Sequence, residues 1–132
     1  VKGPKTNADV TVMVVDDSLT VRRITQKFLD REGFRCIVAK DGLDAIEKIT
    51  EHGCPDLFLS DIEMPNMDGF QLVEHIRTAV SKTVPIIMIS SRSIEKYEDH
   101  ARSLGVNKSI GKPYQEPELL AAIQSLTGLI PA

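Results

Sequence analysis

The stretch Leu57–Gly69, "LFLSDIEMPNMDG", decides the fold. Leu57, Phe58 and Leu59 are the apolar part of "DLFLSD" (56–61), which reads as a buried strand and is too short for a helix. Asp61 follows at its end, and Met64-Pro65 and Asp68-Gly69 then break regular structure. Asp is a poor strand former. The carboxylate therefore either only stops the strand or is held by it for chemistry, and the flanking sequence must decide.

Working outward, the same unit recurs. "TVMVVD" (11–16), "FRCIVA" (34–39), "PIIMIS" (85–90) and, more weakly, "VNKSIG" (106–111) read as further strands. Between them lie helical periodicities. Val21, Ile24 and Phe28 mark one inward face, and Ala45, Ile46 and Ile49 a second. Leu72, Val73, Ile76 and Val80 mark a third; Ile94, Tyr97, Ala101 and Leu104 a fourth. The last uses Leu119, Leu120, Ile123 and Leu126, opened by Pro117 in its first turn. Gly33, Gly53 and Gly105 stand where three of these helices stop. Five strands alternating with five helices predict an α/β protein, a single (βα)5 doubly wound parallel sheet, because a closed barrel needs eight units.

Composition agrees. The chain has 132 residues, 42% apolar and 27% charged, which suits one globular domain. A net charge of −3 with no basic block gives no support for nucleic-acid binding. The longest wholly apolar run, the six residues Val84–Ile89, is too short to span a membrane. Cys36 and Cys54 belong to no metal-binding or redox motif and read as small buried hydrophobes, in keeping with a cytoplasmic location. His52, His75 and His100 fall on predicted helices and read as solvated surface. The polar start, 1–10, reads as a linker; the domain is expected over 11–128, with 129–132 a tail.

In open parallel sheets, ligands bind beyond the carboxyl ends of the strands. Asp16-Asp17, Asp61, Ser90-Ser91 and Gly111-Lys112-Pro113 all stand at such ends. Three carboxylates, a hydroxyl and an ammonium are thus predicted at one edge. Carboxylates so close repel one another unless a cation sits among them. Hard oxygen ligands with room for a phosphate suit Mg²⁺, with Mn²⁺ as a substitute, and the absence of histidine disfavours zinc. A carboxylate beside such an ion can act as a nucleophile towards phosphorus, with Lys112 offsetting phosphoryl charge.

Taken in order, "VVDDS" (14–18), "SDIEMPNMDG" (60–69), "IMISS" (87–91) and "GKP" (111–113) resemble the receiver domain of two-component response regulators. The resemblance implies a flavodoxin-like fold with strand order 2-1-3-4-5. It also implies that Asp61 accepts a phosphoryl group from a phosphohistidine on a histidine kinase or histidine phosphotransfer domain. Asp16, Asp17 and the backbone carbonyl of Glu63 would hold Mg²⁺, Ser90 would supply the switch hydroxyl and Lys112 the phosphate contact. In relatives the Lys112-Pro113 bond is cis, and the face made by helix 4, strand 5 and helix 5 meets downstream proteins. Two positions depart from the pattern: Ser109 replaces the usual aromatic of strand five, and Ser91 replaces a smaller residue. "DIEMPNMDGF", "MISSRSIEK" and "LGVNKSIGKPYQEPELL" further resemble the C-terminal receivers of chemotaxis-type hybrid histidine kinases of type IV pilus systems.

A haloacid-dehalogenase phosphatase would need DxDx[TV] after the first strand, where "DDSLT" stands. The alternative from another class is a receiver-shaped interaction module without phosphoryl turnover. The complete Asp/Asp/Asp/Ser/Lys set argues against it. Glu63 and Arg92, each two residues beyond a site residue, are expected to pair at the pocket rim and restrict the attacking water.

Overall fold

The computed structural model describes residues 5–90 and 94–129. Its strands are β1 (Thr11–Val15), β2 (Arg35–Ala39), β3 (Leu57–Asp61), β4 (Ile86–Ser90) and β5 (Lys108–Gly111), each one or two residues shorter than expected. All pair in parallel, in the order β2-β1-β3-β4-β5. The helices are α1 (Leu19–Arg31), α2 (Gly42–His52), α3 (Gly69–His75), α4 (Ile94–Ser103) and α5 (Glu116–Thr127). The expected topology is the one observed.

The two-residue repeat of a strand divides the core into two layers. Val12, Val14, Leu57, Leu59, Ile87 and Ile89 face α1 and α5, meeting Phe28, Leu29, Leu119 and Ile123. Met13, Val15, Phe58, Ile86 and Met88 face the opposite side, where Ala45, Leu72, Val73, Ile76 and Ala101 pack. Covering both faces is what allows near-continuous apolar strands.

Helix ends follow local chemistry. Ser18, Asp41 and Asp68 cap α1, α2 and α3 by accepting from Val21, Asp44 and Gln71 N–H groups. Past α3 the chain continues as a π-helical turn, Ile76–Val80, closed by the Ser81 N–H on the Ile76 carbonyl at 2.7 Å.

Four expectations are corrected. Ile24, placed on the inward face of α1, is 56% exposed; Thr25, Phe28 and Leu29 are the buried residues of that helix. The segment 1–10 is not all linker, since Asn7–Asp9 forms a 3-10 turn, Asn7 bonds the Glu32 carbonyl, and Val10 has no exposed surface. Leu129, assigned to the tail, is likewise buried in the α5 layer, because both residues are apolar and border the core. Cys54 is exposed, while Cys36 is half-buried and burial pushes its thiol up to about 12. His52 and His100 are exposed and His75 is half-buried; the His100 ring stands edge-on to Phe70 at 4.7 Å.

Candidate functional site

Parallel strands in register bring their carboxyl ends to one edge. Val15 of β1 pairs with Ser60 of β3, so Asp16 and Asp61 leave the sheet side by side. On the other flank Asp61 pairs with Ile89, and Ser90 pairs with Gly111, which brings Lys112 to the same edge. The Lys112 N–H is fixed on the Ser90 carbonyl at 2.7 Å, and the Lys112-Pro113 bond is cis.

Asp16, Asp17 and Asp61 converge, with one carboxylate oxygen from each lying within 4.8 Å of the others. Asp16 is buried, Asp61 intermediate and Asp17 exposed, so the cluster opens to solvent on the Asp17 side. Lys112 Nζ stands 2.8 Å from Asp16 Oδ2 and 3.4 Å from Asp61 Oδ2. Three carboxylates against one ammonium leave excess negative charge. Burial, and then the charge of Asp16, raises the Asp61 carboxyl above its ordinary value against the opposing pull of Lys112 and the Ile62 N–H. Burial depresses Lys112, but the hydrogen bond and charge of Asp16 and the charge of Asp61 outweigh it and raise its pKa.

The donor set fits a hard divalent cation. It is all oxygen, partly solvated and over-charged, and no His or Cys belongs to it. Neighbouring bonds hold these carboxylates still. Asp16 Oδ1 accepts the Ser18 N–H at 2.9 Å, and Arg22 donates to the Asp16 carbonyl at 2.6 Å. Asp61 Oδ1 accepts the Ile62 N–H at 2.8 Å, and the Ser60 hydroxyl donates to the Asp61 carbonyl.

Ser90 is buried at the end of β4 and borders the edge through its pairing with Gly111. Glu63 is exposed in the loop after β3. Ser109 is half-buried in β5, and Pro113 is exposed just beyond Lys112. Ser91 and Arg92 lie outside the described residues, and with them the expected Glu63–Arg92 pair.

Sequence reasoning read Asp41-Gly42 only as a turn. Asp41 is in fact buried, accepting from the Asp44 N–H at 2.8 Å and from Asn66 Nδ2 at 3.0 Å. Gly42 N–H also reaches the Met67 carbonyl, so the loop after Asp61 is tied to the β2–α2 turn. Asn66 adopts a φ of 67°, which Asn tolerates better than most residues. A buried "DG" facing a later "PNMDG" was the available signal, but nothing in spacing alone joins the two. Arg22 gave no signal distinguishing it from any solvated helical cation.

Comparison with known proteins agrees with this geometry. A family model described as "Response regulator receiver domain" matches residues 12–124. The chain is 37% identical over 115 residues to Protein PilG of Pseudomonas aeruginosa, covering 86% of this chain and 84% of that protein. It is 32% identical over 112 residues to the sensor histidine kinase RcsC of Escherichia coli, spanning 85% of this chain but only 12% of that protein. The chemotaxis protein CheY4 of Vibrio cholerae superposes with a TM-score of 0.82 at 28% identity, covering 89% of this chain and 98% of that one. Among the described residues, no helix is long and apolar enough to cross a membrane. The chain belongs to the response regulator receiver domain family, the phosphoacceptor modules of two-component signalling.

Proposed function

We propose that Asp61 is the phosphoacceptor of this receiver and that its own fold catalyses the transfer. The observation that carries this is the meeting of Asp16, Asp17 and Asp61 with Lys112 bridging two of them. An Asp61 carboxylate oxygen attacks phosphorus of a partner's phosphohistidine. The O–P bond forms as the P–N bond breaks, and that electron pair returns to the imidazole, which takes up a proton. Lys112 Nζ is a short swing from its carboxylates to a phosphoryl oxygen, and the Ser90 hydroxyl donates to another. Asp16, Asp17, Asp61 and the Glu63 carbonyl would hold Mg²⁺, or Mn²⁺ in its place. When bound, the ion neutralises charge on the transferring phosphoryl group.

The donor is a histidine kinase or a histidine phosphotransfer domain. The motifs shared with the receivers of chemotaxis-type hybrid histidine kinases of type IV pilus systems support a place in such a system, in the cytoplasm. Likeness to a 12% portion of a sensor histidine kinase supports carriage by a hybrid kinase, whereas the match to 84% of Protein PilG supports a receiver that stands alone. Output runs through the α4–β5–α5 face. A hollow of about 270 Å³ there is lined by Glu98, Arg102, Asn107, Lys108 and Ser109, a polar surface suited to protein contact. Ser91, Arg92, Ser109 and Pro113 modulate lifetime and switching rather than carry the transfer.

The test is beryllofluoride binding followed by calorimetry, with and without Mg²⁺, beside phosphoryl uptake from acetyl phosphate. Mg²⁺-dependent binding and labelling, both lost in Asp61→Asn, are expected. Binding that persists in Asp61→Asn would refute the assignment.

A further inference from the structure

Lys112 Nζ lies between Asp16 and Asp61, so what anchors the segment beyond it bears on where the ammonium is presented. Pro113 leaves β5, and Tyr114 is the next residue with a side chain fixed to another element. Its hydroxyl meets that of Thr25 on α1 at 3.0 Å, and its ring lies 6.4 Å from that of Phe28. Thr25 is 2% exposed and is the polar member of the buried face of α1, beside Phe28 and Leu29. A buried hydroxyl needs a partner, and a helical Thr commonly finds one on its own helix. Here it is directed at a residue 89 positions away.

The two hydroxyl residues also touch the site. A small pocket of about 10 Å³, roughly one water, is lined by Asp16, Asp61, Lys112, Thr25 and Tyr114 among others. On the outer side a groove of about 570 Å³ runs along Val21, Ile24, Pro113 and Tyr114 up to Lys112. Tyr114 thus has packed protein on one side, open space on the other, and Lys112 two residues away. Ser109 offers no ring on β5 to sense the same event.

Resting on the acceptor reading of Asp61, we infer that Thr25 and Tyr114 are positioning residues for Lys112, and that Tyr114 registers occupancy of Asp61 on the α1–α5 side of the molecule. With the hydroxyl pair made, the 112–114 segment presents the ammonium between Asp16 and Asp61. When Lys112 turns to a phosphoryl oxygen, the segment shifts and the environment of the Tyr114 ring changes.

The chain has no Trp and two Tyr, so Tyr97→Phe leaves Tyr114 as the sole fluorophore. In that background, beryllofluoride with Mg²⁺ is expected to change tyrosine emission, and Asp61→Asn to abolish the change. Calorimetry on Thr25→Val is expected to show beryllofluoride affinity about three- to tenfold weaker, with Thr25→Ser restoring it. Tyr114→Phe, which keeps the ring, should match Thr25→Val, and the double variant should be no worse than either single one. Wild-type affinity in both Thr25→Val and Tyr114→Phe, or emission indifferent to beryllofluoride that binds, overturns this inference alone. Failure of the wild-type chain to bind beryllofluoride overturns the acceptor reading together with it.

Discussion

Asp61 sits where folding and chemistry pull in opposite directions. Burial and the nearby Asp16 carboxylate raise its pKa, so the folded chain binds this proton more tightly than the unfolded chain does. At neutral pH the ionised group therefore lowers stability. Asp61→Asn is expected to raise Tm by a few degrees in chelator, and the gain should shrink when Mg²⁺ is added. Asp41 behaves oppositely. The Asp44 N–H, followed by the Asn66 amide, holds its carboxyl below the usual value, so its contribution is present above that value and lost as acid carries pH down through the folded one. As pH falls below about 4, wild-type Tm should drop more steeply than that of Asp41→Asn. At pH 7 the variant should be less stable by about 1–3 kcal/mol, since an amide cannot accept both bonds, and urea unfolding measures this. Asp61 was legible as a site residue because a charge closing an apolar strand is conspicuous. The role of Asp41 was not, since a buried and a solvated Asp-Gly turn are written alike.

At the scale of elements, close approach decides what each junction tolerates. A Cβ on Gly69 would collide with the Asp61 carbonyl and lie 2.9 Å from the Ile62 Cα, both backbone atoms that cannot turn aside. Gly69→Ala is expected to cost about 1–3 kcal/mol in urea unfolding and to weaken Mg²⁺ binding, because the displaced strand end carries Asp61. Arg77 ties the π-helical turn to the segments that lead into β4 and β5. Its guanidinium donates to the carbonyls of Ser81, Val84 and Gly105 at 3.1, 2.7 and 2.8 Å, and to Asn107 Oδ1 at 3.2 Å. A lysine cannot reproduce that fork. Arg77→Lys should lose about 1.5–3 kcal/mol by the same measurement, with beryllofluoride affinity unchanged. Helix periodicity located α1 but misjudged its face. Val21, Ile24 and Phe28 fit one stripe, yet the helix turns Thr25 and Leu29 inward and leaves Ile24 at the groove. The buried Thr25 hydroxyl is bonded there by that of Tyr114.

For the whole molecule, the crowded carboxylates make stability depend on a ligand. Anything that binds only the folded state raises apparent stability in proportion to the logarithm of its concentration over its Kd. Mg²⁺ titration should therefore raise Tm steadily once the ion exceeds its Kd. Asp17→Asn should flatten that response while leaving Tm in chelator within about a degree of wild type, since Asp17 is exposed. By itself the sequence determined the alternation of strands and helices, the parallel sheet they must form, and which residues stand at the strand ends. Those follow from local periodicity and chain connectivity, both written along the chain. Only the tertiary structure decided that Lys112 bridges Asp16 and Asp61, that Asp41 ties down the loop after Asp61, and that Thr25 meets Tyr114. Each of these joins residues far apart in sequence through ångström-scale register between packed elements. No single stretch of the chain encodes that register.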